Sequence, residues 1–168
     1  MLFPVHLQKI DTMFSTLETT ELATWVAVSL WGYPIMLSLH VMGLAVVVGI
    51  FSMRDLCLLG LFPGVQPSAF LGLGKLGWVG FIVNAVSGFA LFASQATVFI
   101  TSVPFLVKIA CIVAGMVLAG VIQSRLRNEA ALSDSTVAIS APTKIIASIS
   151  LMLWLAAIIA GRLIAYIF

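Results

Sequence analysis

The sequence predicts an all-α integral membrane protein, in which four transmembrane helices form an antiparallel bundle preceded by an N-terminal interfacial helix. Three observations predict this fold class. Of the 168 residues, 62% are apolar and only 8% are charged, whereas about a quarter of the residues in a soluble domain are charged. Four stretches also reach the length of about 20 apolar residues that a bilayer requires. This composition excludes a soluble enzyme, a nucleic-acid-binding protein and a disordered chain.

The N-terminal segment, residues 1–21, is predicted to lie in the membrane interface. Its apolar residues Leu7, Ile10, Phe14 and Leu17 recur at spacings of three and four, with charged residues between them. This is the pattern of an amphipathic helix on a membrane surface. A helix packed over the end of the bundle would show the same pattern, so both placements remain open.

The rest of the single membrane domain, which covers residues 1–168, holds the four spans. We predict them at about residues 34–53, 76–94, 104–123 and 145–165. The first is counted back by about 20 residues from the charged pair Arg54–Asp55, and Pro34 suits its start. Asp55 and Glu21 then stand at span edges. No carboxylate is therefore expected within a span, and a proton-coupled transporter has no obvious carrier.

The basic residues predict how the chain crosses the membrane. Five lysines and arginines follow the first or third span, whereas Lys9 stands alone on the other side. Cytoplasmic loops carry the excess of such residues. We therefore expect a multi-pass protein with both termini outside. The five residues are Arg54, Lys75, Arg125, Arg127 and Lys144.

Three ionisable residues fall well within the predicted spans, and such residues are functional candidates by default. From the predicted bounds and the helical rise, His40 lies about 5 Å outside the bilayer midplane, Lys108 about 9 Å and Arg162 about 10 Å. The imidazole is thus the deepest of the three, with two cations nearer the outer surface.

This order suits a b-type haem. A neutral imidazole is a common axial ligand of haem iron, which makes His40 the candidate metal ligand. Arg162 and Lys108 would pair with the propionates, and Tyr166, one turn beyond Arg162, would also reach a propionate. Gly43, one turn from His40, would leave room for the porphyrin face.

The second axial ligand is left open by the sequence. His6 is the other histidine, and it lies in the N-terminal segment. Met36, Met116 or Met152 would also serve, as would a residue of another subunit, and a five-coordinate iron is a further alternative.

The leading functional interpretation is a small cytochrome-like haem protein that carries electrons in or near the membrane, with a quinone as a possible partner. The alternative is a cofactor-free accessory or scaffold subunit of a larger membrane complex, in which His40 and Arg162 hydrogen-bond between helices. If the protein is an enzyme, it would be an oxidoreductase that acts on a quinol or a porphyrin.

Small residues repeat on two of the spans and allow helices to approach closely in lipid. One face carries Gly77, Gly80, Asn84 and Gly88, and the other carries Ala157, Gly161 and Ala165. Four helices within one chain would use only some of these faces. We therefore expect a homo-oligomer or a membrane partner subunit.

Two motifs resemble an uncharacterised family of bacterial integral membrane proteins. Residues 29–60 share a Trp-x-Tyr-Pro start, a central Leu-His-Val-x-Gly and an Asp-Leu-x-Leu-Leu-Gly end, and residues 161–166 resemble the terminal GRxIAY motif. The resemblance implies about four spans in the bacterial inner membrane and no settled activity.

The first span is also similar, more loosely, to the first helix of two other families. These are the haem-binding membrane protoporphyrinogen oxidase and the copper-resistance membrane proteins. The likeness rests on Leu39, His40 and Val41 followed by Gly43 and Gly49. The first of these resemblances implies His40 as a haem ligand.

Overall fold

The computed structural model describes residues 5–132 and 140–167, and all the regular structure in this part of the chain is helical. Four of its helices are long and apolar enough to cross a membrane, namely α3, α4 with the turn before it, α6 and α7. The predicted all-α, multi-pass class is therefore confirmed, while the antiparallel order of the whole bundle stays a prediction. The elements are α1 (Val5–Glu18), α2 (Glu21–Val28), α3 (Gly32–Leu58), a 3₁₀ turn (Pro67–Ala69), α4 (Phe70–Ala93), α5 (Ala96–Thr101), α6 (Val103–Leu132) and α7 (Ala141–Ile167).

The four long helices begin before the predicted spans, and α3 also continues past the predicted end of the first span. We expected the charged pair Arg54–Asp55 to end that span, but α3 continues to Leu58. Arg54 and Asp55 form an ion pair within the bundle and are 1% and 0% exposed. Two charged side chains that form an ion pair with each other can lie within the bundle and need not mark the membrane edge.

Two short helices are absent from the sequence prediction. The first, α2, begins after Thr20, whose hydroxyl accepts a hydrogen bond from the Ala23 amide and so caps the helix. The second, α5, fills the connection between α4 and α6. Both are too short to show a helical period of their own beside long apolar runs.

The first helix, α1, packs against the ends of α4 and α5. The Thr97 backbone amide and hydroxyl both donate to Glu18 Oε1, at 2.8 and 2.7 Å. The Phe14 ring meets Phe92 edge to face, with 6.0 Å between centroids. These contacts fit a helix over the bundle end, while its place relative to the membrane surface stays a prediction. The side chain of His6 lies outside the described residues.

The close pairing of α3 and α4 depends on glycines. A Cβ at Gly77 would lie 2.8 Å from the Phe51 ring, and one at Gly80 would lie 2.7 Å from Val46. Side chains at these positions would force the helices apart. The small-residue face of α4 is thus occupied by α3 of the same chain, so it no longer argues for an oligomer.

Candidate functional site

Three polar side chains from three helices meet in the half of the bundle where α3 and α6 begin, and we call them the polar cluster: His40 on α3, Asn84 on α4 and Lys108 on α6. The His40 Nδ1 atom lies 3.0 Å from the Asn84 carbonyl oxygen. Since a carbonyl only accepts hydrogen bonds, this contact assigns the proton to Nδ1 and the lone pair to Nε2; the Asn84 side-chain nitrogen also lies 3.2 Å from Nδ1. The Lys108 ammonium approaches this Nε2 at 3.4 Å. Both ring nitrogens are therefore occupied by groups from other helices.

Asn84 completes the link between α3 and α4. The side-chain amide of Asn84 donates to the His40 backbone carbonyl oxygen at 2.8 Å. The backbone carbonyl of Asn84 accepts from the imidazole. Asn84 is 5% exposed, so both hydrogen bonds lie away from lipid. This contact agrees with the alternative interpretation, in which His40 hydrogen-bonds between helices.

Two glycines accommodate the cluster. A Cβ at Gly88 would lie 2.9 Å from His40 Cε1, and one at Gly161 on α7 would lie 3.4 to 3.6 Å from the end of the Lys108 side chain. The α7 small-residue face therefore also meets a neighbour within the chain, together with the buried Ala157. The Ala165 side chain lies outside the described residues.

Gly43 faces the backbone of α4. A Cβ there would lie 2.7 Å from the Asn84 nitrogen and 2.8 Å from the Gly80 oxygen. The side of α3 that we assigned to a porphyrin face is thus filled by another helix. A macrocycle at Gly43 would require α3 and α4 to separate.

Arg162 and Tyr166 form a separate pair on α7. The guanidinium donates to the phenol oxygen at 3.3 Å and lies 5.4 Å from the ring centroid. Both side chains are exposed, and their contact stays within one helix. The structure thus brings His40 and Lys108 together, but it places Arg162 and Tyr166 outside their contact network. The interhelical role expected for Arg162 is filled by Lys108.

A second polar centre, missed from the sequence, lies near the other end of α3. Arg54 donates through Nε and one terminal nitrogen to Asp55 Oδ1, at 2.9 and 2.7 Å. Its other terminal nitrogen donates to the Ala119 carbonyl of α6 at 3.0 Å. Asp55, expected at a span edge, thus lies within the helix Gly32–Leu58 that is long and apolar enough to cross a membrane. The sequence does carry a signal, because the apolar run resumes at Leu56 and reaches Leu61.

Apolar layers enclose this second centre on both sides. Phe51 stacks on Trp154 with 6.0 Å between ring centroids, and the Arg54 guanidinium lies 5.1 Å from the Phe51 centroid. Toward the other end, Leu58 and Ile122 belong to a buried apolar cluster. The ion pair is thus sealed from solvent, an environment in which unpaired charges are very costly.

The potential metal ligands are scattered over the part of the chain that the structure describes. No three histidine, cysteine, aspartate or glutamate side chains gather there, and Cys57 and Cys111 are both free. Met116, one of the expected second axial ligands, is buried in an apolar cluster with Phe51 and Trp154. Among the side chains that the structure describes, His40 is the imidazole around which a haem site would have to form.

Comparison with known proteins adds no relative. No family model, no curated protein and no solved structure matches the chain. The resemblance to the four-span bacterial family therefore stays an expectation, and the functional argument rests on the two polar centres.

Proposed function

We propose that the chain is a cofactor-free accessory or scaffold subunit of a larger membrane complex, placed in the bacterial inner membrane with both termini outside. The observation that carries this proposal is the full occupation of the His40 imidazole by Asn84 and Lys108. Because both ring nitrogens of His40 contact groups on neighbouring helices, the side chain holds those helices together and has no free nitrogen to bind iron.

The buried Arg54–Asp55 pair supports the same proposal. It joins α3 to α6 through the Ala119 carbonyl, just as Lys108 joins α6 to α3 in the polar cluster. In some proteins, buried polar groups fix the register of packed helices. Two such centres on α3 would fix its neighbours at two levels and give a partner subunit a rigid surface.

An absorption spectrum tests this proposal directly. The protein is expressed with ample haem supply, purified in mild detergent and scanned in oxidised and reduced states. We expect no Soret band and a folded, helical protein. A stoichiometric Soret band that disappears in His40→Ala would overturn the proposal.

A stability measurement tests the linking role independently. His40→Ala removes contacts to two helices, and interhelical hydrogen bonds in membranes average about 0.6 kcal/mol each. Ser148→Ala is the matched control, since Ser148 is exposed and bonds only to its own helix through the Lys144 carbonyl. His40→Ala should unfold at a lower denaturant fraction than Ser148→Ala. Equal stability of the two variants would contradict the linking role.

The b-type haem protein is the second candidate, and the orientation of His40 is what favours it. Metal-ligating histidines commonly donate their other ring N–H to a backbone carbonyl, which fixes the tautomer. The Nδ1–H to Asn84 bond does this and leaves Nε2 as the ligating atom. For this function Lys108 must turn away from Nε2, where it would become available to a propionate. A bound haem would supply one-electron chemistry to a partner, for which a quinone remains a proposal.

A further inference from the structure

The Lys108 ammonium lacks an anionic partner in the part of the chain that the structure describes. The ion pair found there joins Arg54 to Asp55. An ammonium has three N–H donors, and among the described residues Lys108 makes a 3.4 Å contact with the neutral acceptor His40 Nε2. The cation is therefore only partly compensated.

The groups that contact the end of the Lys108 side chain are uncharged. His40 of α3 accepts from it, Asn84 of α4 holds that imidazole in place, and Gly161 of α7 leaves room beside the end of its side chain. An isolated ammonium in a span is costly unless it finds a partner or reaches the interface. An anion from outside the chain would supply that partner.

The position of Lys108 allows such an anion to reach it. It lies in the second turn of α6, which begins at Val103, so its Cα is about 8 Å along the helix from that end. Its side chain is partly exposed. The ammonium stays beside His40 Nε2, so an anion has to approach it along this partly exposed side, and the anions available at the headgroup level are phosphates.

We propose that Lys108, oriented by His40, is the binding site for a phosphate oxyanion, in the first place the headgroup of an anionic phospholipid. Lys108 supplies the charge and two N–H donors, while His40 takes the third donor and holds the side chain between α3 and α7. This inference does not require a partner subunit, so its failure would leave the proposed function untouched.

The test measures lipid retention by native mass spectrometry. Wild-type protein is exchanged into micelles that contain phosphatidylglycerol or phosphatidylcholine. We expect phosphatidylglycerol to be retained preferentially, and Lys108→Gln to retain about fivefold less, the contribution of one basic residue near a membrane surface. Lys108→Arg should keep the retention. Ser148→Ala is the control, since Ser148 is uncharged, exposed and bonds to its own helix, and it should match the wild type.

Two further measurements keep the proposal falsifiable if Lys108→Gln fails to fold. Retention by the wild type should fall with rising salt, because the contact is electrostatic. Inorganic phosphate is titrated against lipid-free protein, and saturable binding that Lys108→Arg preserves would assign the site to a soluble anion. Equal retention of both lipids by the wild type without phosphate binding, or undiminished retention by a folded Lys108→Gln, would overturn the proposal.

Discussion

Replacing Gly43 with alanine tests whether α3 and α4 pack as closely as the structure requires. Gly43 meets backbone atoms of α4, which have no alternative rotamer. An added Cβ would lie 2.7 Å from the Asn84 nitrogen and 2.8 Å from the Gly80 oxygen. The only way to relieve both contacts is to move the two helices apart.

The size of the effect follows from these distances. Ordinary contact begins near 3.4 Å, so the backbones must separate by about 0.7 Å. Overpacking of this kind costs about 1–3 kcal/mol. The same movement weakens the two His40–Asn84 hydrogen bonds, which adds about 1 kcal/mol at typical membrane values. The total loss in the free energy of unfolding is thus about 2–4 kcal/mol.

Reversible unfolding in mixed micelles with a rising fraction of sodium dodecyl sulfate, followed by far-ultraviolet circular dichroism, measures this loss. Gly49→Ala is the matched control on the same helix, because a Cβ at Gly49 would meet nothing within 4 Å. It should leave stability unchanged or slightly raised, since alanine favours helix over glycine by up to about 1 kcal/mol.

Equal stability of Gly43→Ala and Gly49→Ala would refute the reasoning. It would mean that α3 and α4 are separated in the membrane at Gly43. That result would reopen the space for a porphyrin face and favour the haem protein over the scaffold.

Three other predictions concern the rest of the chain. Arg54→Met leaves Asp55 buried without its partner and should lower the free energy of unfolding by about 3–5 kcal/mol. The double variant Arg54→Met/Asp55→Leu should recover part of this loss in the same unfolding assay. Strictly additive costs of the two substitutions would contradict the ion pair. The hydrogen bonds from Thr97 hold the pKa of Glu18 below its usual value, so the α1–α5 contact should be stable above the ordinary glutamate pKa and weaken as pH falls through the lowered one. A spin-label distance between α1 and α5 should therefore lengthen in acid, and Glu18→Gln should lengthen it already at neutral pH. Finally, a reporter fused to the C-terminus should be active outside the cytoplasm, and activity only inside would reverse the predicted topology.

Single residues show why the sequence did not reveal the second polar centre. In isolation, Arg54 and Asp55 resemble the end of a span, because charges in lipid are costly. Their cost is offset only when Arg54 reaches Asp55 and the Ala119 carbonyl of a distant helix. That partner lies 65 residues away, and no local pattern indicates it.

Composition and period by themselves determined that this is an all-α protein with four apolar helices, since lipid requires about 20 apolar residues per helical span regardless of packing. They also identified His40 and Lys108 as residues of interest. Tertiary structure decided which groups meet: His40 with Asn84 and Lys108, Arg162 with Tyr166, and Gly43 with the α4 backbone. The physical reason is that burial and hydrogen bonding depend on which sides of the helices pack together. That packing is set by contacts between residues far apart in the chain.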